Sequence, residues 1–177
     1  MKVITHITSK AARGRNLTLV WGIHPFPAGK ILIALSAEGL CWLGLNCGVK
    51  DLERYWPGAN FVEDQKLTAK TARELAAQWP KKPVKLSVPL VLCGTAFQLK
   101  VWKELLKIKS GSTVTYAALA QKIGKPTASR AVGSAVGRNT VSVVVPCHRV
   151  VNGTGAKINY AWGPGVKVAL LKGEKAA

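Results

Sequence analysis

The chain has 177 residues, 48% hydrophobic and 19% charged, with a mean hydropathy of +0.14, enough for one large domain or two small ones and too apolar for a disordered chain. No apolar run approaches the ~20 residues of a membrane-spanning helix, which excludes an integral membrane protein, and the first residues lack the apolar core of a secretory signal. Lys and Arg number 26 against 8 Asp and Glu, a net charge of +18, and beyond residue 90 only Glu104 and Glu174 are acidic, so a polyanionic partner is expected.

Ile31-Leu32-Ile33-Ala34-Leu35 and Leu40-Cys41-Trp42-Leu43-Gly44-Leu45 flank the polar Ser36-Ala37-Glu38-Gly39, the pattern of a β-hairpin. Leu67–Trp79 reads as a helix stopped at Pro80. The Pro-punctuated stretch from Lys81 to Pro89 reads as an extended connection between two units. The predicted division is therefore an N-terminal α+β domain over 1–88 and a C-terminal domain over 89–177. Nothing in the first unit carries visible chemistry.

After Gly94 the pattern turns helical. Thr95-Ala96-Phe97-Gln98 has the form of a capping box, and Phe97, Val101, Trp102, Leu105, Leu106 and Ile108 follow at helical spacing. A second helix fits Tyr116–Ile123 with Gly124 at its end, and a third fits Ala128–Arg138 after a tight turn. Two helices joined by a short turn form a helix-turn-helix pattern, although any helical hairpin looks similar. The third helix is made almost entirely of small residues, with Arg130 its one long side chain before Arg138. A helix that reads base edges carries several Arg, Asn or Gln, so this one can read little sequence. Its small residues suit either close approach to a minor groove, with Arg130 as a single probe, or tight packing on another helix.

Val141–Val145 is a buried-type, β-branched run, followed at once by Pro146-Cys147-His148-Arg149. A free Cys is usually an inert core residue, but here one of three His and an Arg adjoin it, a setting that lowers a thiol pKa. Adjacent residues on an extended chain point to opposite sides, so a relay between Cys147 and His148 through a water or a turn is expected before a direct contact. Glu174 is the sole downstream carboxylate able to orient His148; otherwise it is a solvated residue near the C-terminus. The other cysteines, Cys41, Cys47 and Cys93, make no zinc-ribbon or disulfide pattern, which suits a reducing cytosol. Cys41 and Cys47 with His6 and His24 have poor ligand spacing, and no metal is expected.

Pro146-Cys147-His148-Arg149-Val150 resembles the acceptor motif of the O6-alkylguanine-DNA alkyltransferases, or methylated-DNA–protein-cysteine methyltransferases. The resemblance extends through Gly94–Gln98 with Val101-Trp102, Tyr116–Ala120, Arg130–Gly133, Gly137-Arg138-Asn139, and then Tyr160, Gly163 and Leu170–Glu174. It implies an α+β protein: a small ribonuclease H-like α/β domain, then a helix-turn-helix, winged-helix-like alkyltransferase domain. The implied reaction is direct-reversal repair. The alkyl group of O6-alkylguanine, or of O4-alkylthymine, in double-stranded DNA moves irreversibly to a cysteine, once per chain, after the base is flipped out. The resemblance further implies no cofactor, no obligate protein partner, a monomer, and a cytoplasmic protein (nuclear in a eukaryote).

Carried over by residue, Cys147 is the acceptor, activated through water by His148 with Glu174 behind it, and Asn139 holds the turn around it. Tyr116 displaces the target nucleotide and protonates the departing guanine, while Arg130 replaces the extruded base in the stack. Ala131, Gly133, Ser134, Ala135 and Arg138 complete the DNA-facing set, and Cys147, Val150, Tyr160, Ala161 and Trp162 line the pocket. Thr140 stands where the family commonly has Pro. Trp162 stands where it often has a small residue, which bears on the adducts that fit. Two rival readings are a DNA-lesion binder without repair, against which Cys147 argues, and a Cys–His hydrolase. Such hydrolases usually bring the two residues from distant positions and need no strongly basic domain.

Overall fold

The computed structural model describes residues 1–8, 14–80, 84–153 and 160–175. Strands β1 (Val3–Ile7), β2 (Thr18–Phe26), β3 (Gly29–Ser36) and β4 (Gly39–Leu45) are followed by helix α1 (Val49–Tyr55), strand β5 (Asn60–Glu63) and helix α2 (Gln65–Gln78). The expected hairpin forms as β3–β4, antiparallel, with β2 antiparallel on its other side. Its apolar runs are continuous because both faces of the sheet are covered. Ile31, Ile33 and Leu35 cluster with Ala72 and Leu75 of α2, whereas Leu32 and Ala34 cluster with Leu52 of α1 and Trp56. Helix α2 begins where Asp64 accepts from the Leu67 N–H at 2.9 Å, two residues before the sequence pattern placed it.

Strand β6 (Leu90–Gly94) runs parallel to both β1 and β4, completing a six-stranded sheet in the order β1-β6-β4-β3-β2-β5. The sheet therefore takes in residues beyond the expected boundary at 88/89. The preceding connection is strapped to α2. Gln78 exchanges two hydrogen bonds with Lys85, at 2.7 and 2.8 Å, and Glu74 accepts from the Ser87 N–H at 2.8 Å. Lys81, Lys82 and Pro83 lie outside the described residues.

The remainder is helical. Helix α3 (Ala96–Leu105) starts with the capping box read from Thr95 and Gln98. Strand β7 (Val114–Thr115) leads into α4 (Tyr116–Lys122), and Gly124, at φ 69°, takes the left-handed conformation that ends it. Helix α5 (Ser129–Gly137), strand β8 (Val150–Val151), parallel to β7, and α6 (Pro164–Lys175) follow. Helix α5 packs on both α3 and α4, and the fully buried Trp102 donates its indole N–H to the Ala135 carbonyl at 2.8 Å. One apolar core runs from Leu43 and Leu92 of the sheet to Trp102, Val136, Val141 and Leu170.

The run before Cys147 is not the strand its β-branched composition suggests. Only Val141 pairs, as a single parallel bridge to Leu43 of β4, through Leu43 N–H to Thr140 O at 2.8 Å and Ser142 N–H to Leu43 O at 2.9 Å. The chain then turns, with Val143 at φ 68°, a conformation that β-branched residues rarely adopt and that surrounding packing must impose. Cys147–Arg149 is one turn of 3-10 helix. Asn139 dictates this path. Its Oδ1 accepts from the Val141 N–H at 3.1 Å, and its Nδ2 donates to the Val145 carbonyl at 2.8 Å, so backbone groups that a strand would pair are taken up locally.

Candidate active site

The same Asn139 Nδ2 lies 3.1 Å from Cys147 Sγ, and the thiol lies 3.9 Å from the Tyr160 hydroxyl. Cys147 is buried, 6% exposed, at the floor of a cavity of about 240 Å3 lined by Tyr116, Gly133, Val136, Asn139, Ser142 and Tyr160, among others. Burial pushes its pKa up, against hydrogen bonds from Asn139, Tyr160 and Ser142 that act to lower it. The sequence expectation of a lowered thiol pKa is therefore corrected. The neighbouring cations do not offset desolvation, because Arg149 is committed elsewhere. A protonated thiol needs a base.

The next residue in the chain, His148, carries an imidazole. It is fully buried, and its Nε2 meets Glu174 Oε1 at 2.8 Å. Glu174 is also gripped by Arg149, whose Nε and Nη2 lie at 3.0 and 2.7 Å, while Arg149 Nη1 donates to the Ile108 carbonyl. Burial opposes the Glu174 charge, yet the hydrogen bonds from His148 and Arg149 outweigh it and hold its pKa down to about 2. Burial lowers the pKa of His148 more than Glu174 raises it, so the imidazole is neutral. A carboxylate can only accept, so Nε2 carries the proton and Nδ1 is the basic nitrogen. Nδ1 is buried and accepts from no protein group among the described residues. No direct hydrogen bond joins it to Cys147 among the described residues.

Tyr116 opens α4, held there by the Thr115 cap, and its ring sits where a Cβ on Gly133 would lie 3.7 Å away. Burial first, and then Cys147, raise its pKa. On α5, Arg130, Ala131, Ser134, Gly137 and Arg138 form one exposed face, with Gly133 half-buried beside them. Ala135 does not belong to it: at 2% exposed, it faces Trp102 in the core.

Cys147, Tyr160 and Ala161 line the cavity. Val150 and Trp162 are corrected. Val150 is wholly buried, with its carbonyl taken at 2.6 Å by Lys167 Nζ. The Trp162 indole lies against the sheet, edge-on to Trp42 at 6.0 Å between ring centroids, and donates to Ser142 Oγ at 2.6 Å. It does not wall the Cys147 cavity among the described residues. Ser142 and Lys167 were not legible as site residues. Lys167 could have been found, because it shares the buried stripe of α6 with Leu170 and Glu174 at spacings of three and seven.

A sheet domain is joined to a helix-turn-helix, and a buried Cys neighbouring a His–carboxylate pair lies under a helix of small residues. The chain belongs to the O6-alkylguanine-DNA alkyltransferase family: residues 96–176 match the family model "6-O-methylguanine DNA methyltransferase, DNA binding domain". It is 38% identical to the methylated-DNA–protein-cysteine methyltransferase of Methanosarcina acetivorans, over 87% of this chain and 97% of that one. It is 36% identical to the bifunctional transcriptional activator/DNA repair enzyme Ada of Escherichia coli, over 95% of this chain and 49% of Ada. The chain thus spans about half the length of that relative and of the Salmonella typhimurium regulatory protein ada. The structure of Mycobacterium tuberculosis OGT in complex with DNA superposes with a TM-score of 0.75 at 32% identity, over 90% of this chain and 93% of that one.

Proposed function

We propose that this chain repairs O6-alkylguanine in duplex DNA by moving the alkyl group to Cys147 Sγ, once per molecule. The observation that carries the reading is the buried Cys147 thiol, backed by the His148–Glu174 pair and opening into a cavity under the small-residue face of α5. The thiol proton passes through a bridging water to His148 Nδ1, and Glu174 stabilises the imidazolium that forms. Sulfur attacks the alkyl carbon, the C–O6 bond breaks and a C–S bond forms. Tyr116 supplies the proton that the departing guanine takes at N3. Asn139 and Tyr160 hydrogen-bond the sulfur as charge builds on it.

The target lies inside the duplex, so its nucleotide is flipped into the cavity, with unstacking costing a few kcal/mol. Arg130 fills the gap left in the stack. Ala131, Ser134 and Gly137 let the helix approach the minor groove, and Arg138 contacts the backbone. Lesions occur in any sequence, which suits a helix with little to read with. A thioether is not readily hydrolysed, so no step regenerates Cys147. All four cysteines are free thiols, which suits a cytoplasmic protein.

The test is Cys147→Ser. Alkyl transfer should vanish while duplex affinity stays within a few-fold of wild type, and wild type should gain one alkyl mass, mapped to Cys147. Transfer by the serine variant, or sustained turnover by wild type, would overturn the reading.

A further inference from the structure

A second cleft, of about 270 Å3, lies between α1 and the C-terminal end of α5, walled by Trp42, Arg54, Tyr55, Arg138, Thr140 and Trp162. It shares Gly137, Asn139 and Ala161 with the Cys147 cavity, so the two hollows stand back to back across one strip of chain. Trp42 braces its floor, with Tyr55 at 5.4 Å and Trp162 at 6.0 Å between ring centroids. Thr140 Oγ1 is buried there without a hydrogen-bond partner among the described residues.

Two exposed cations flank this floor, Arg54 from α1 and Arg138 from the cap of α5. Neither is ion-paired among the described residues. Neither acid near Arg54 pairs with it among the described residues: Asp51 accepts from the Gly48 N–H at 3.2 Å, and neither Asp51 nor the exposed Glu53 is one of the cleft's walls. A cleft with an aromatic floor and two unpaired guanidinium groups fits a phosphodiester.

We infer that this cleft is a second DNA contact, in which Arg54 and Arg138 clamp a backbone phosphate of the strand flanking the extruded nucleotide. The inference rests on the repair reading above. Its continuity with the Cys147 cavity places any strand that delivers a nucleotide there beside the cleft. Arg54 brings the sheet domain, which otherwise carries no visible chemistry, into the DNA interface. Phosphate contacts of this kind set register and affinity without reading sequence.

The experiment measures affinity for a duplex containing O6-methylguanine across a salt series, alongside inactivation by free O6-benzylguanine, which has no phosphate. Arg54→Gln should weaken duplex binding several-fold and reduce the log–log salt slope by about 0.9, the value of one phosphate. Arg54→Glu should weaken it further, and Arg54→Lys should keep the slope. Lys70→Gln, an equal charge loss on α2 across the sheet, should leave the slope near wild type. Inactivation by the free base should match wild type throughout. An unchanged slope in Arg54→Glu, an equal loss in Lys70→Gln, or a parallel loss with the free base would overturn the inference. Wild type that takes no alkyl group from the duplex would instead overturn the repair reading beneath it.

Discussion

Burial keeps the Cys147 thiol protonated and the His148 imidazole neutral, and in the proposed reaction His148 takes the thiol proton while Glu174 stabilises the imidazolium. Glu174→Gln should slow transfer at least tenfold, and should cost about 3 kcal/mol of stability in urea unfolding, as broken buried pairs do. Acid should expose the same linkage. The folded pKa of Glu174 is depressed, so its contribution is fully present above its ordinary 4.5 and is lost as the pH falls towards about 2. His148, with a pKa lowered from 6.5, acts in the same direction, because the unfolded chain takes up that proton first. Wild-type stability should therefore fall below pH 6.5 and more steeply below 4.5. Glu174→Gln should make the lower limb shallower, leaving the smaller contribution of Glu74, whose pKa the Ser87 N–H holds down; a variant with the wild-type profile would disconnect the carboxylate from the site.

Trp162 illustrates how one side chain can be read correctly in type and wrongly in place. Its large indole beside the acceptor suggested a pocket wall, yet it braces Ser142 and Trp42 instead. Trp162→Phe should then cost about 1 kcal/mol for the lost hydrogen bond, and Trp162→Ala about 3–5 kcal/mol for the lost packing. Inactivation of Trp162→Phe by O6-benzylguanine should stay within a few-fold of wild type. A large gain in sensitivity would put the indole back in the path of the adduct.

At the scale of elements, α5 resolves a choice that its composition left open. Small residues suit close helix packing and close approach to a groove, and the helix has a separate face for each. Val132, Ala135 and Val136 are buried, whereas Arg130, Ala131, Ser134 and Gly137 are exposed. Arg130→Ala should slow repair in duplex DNA at least tenfold and leave reaction with a free modified base nearly unchanged, since only the duplex needs a nucleotide extruded. Equal losses on both substrates would remove Arg130 from that role. The capping box of α3 and the Gly124 stop of α4 were legible because caps are local chemistry.

At the scale of the whole molecule, the charge of +18 is spread over both halves, and the acceptor loop is tied to the sheet by the Leu43–Val141 bridge. Duplex affinity should fall about a hundredfold or more between roughly 50 and 200 mM salt, as four or more phosphate contacts require. A flat dependence, measured by anisotropy, would mean that the charge does not engage the backbone. The shared core from Leu43 to Leu170 makes the two halves one stability unit, and denaturation should follow a single transition by fluorescence and circular dichroism.

The amino-acid sequence by itself determined helices α2 to α5, the hairpin, and Cys147, His148 and Glu174 as candidates, because periodicity, caps and a contiguous motif are written in neighbouring residues; α1 and α6 were not read from it. It left the path of the run before Cys147 open. β-branched composition favours a strand, but Asn139 takes up that run's backbone groups, and only one bridge to Leu43, almost a hundred residues earlier, remains. Tertiary structure alone decided that the thiol pKa is raised and not lowered, that Lys167 caps the Val150 carbonyl, and that Ala135 faces inward. The reason is common to all three: burial and long-range partners set a group's charge and direction, and neither is a property of its neighbours in the chain.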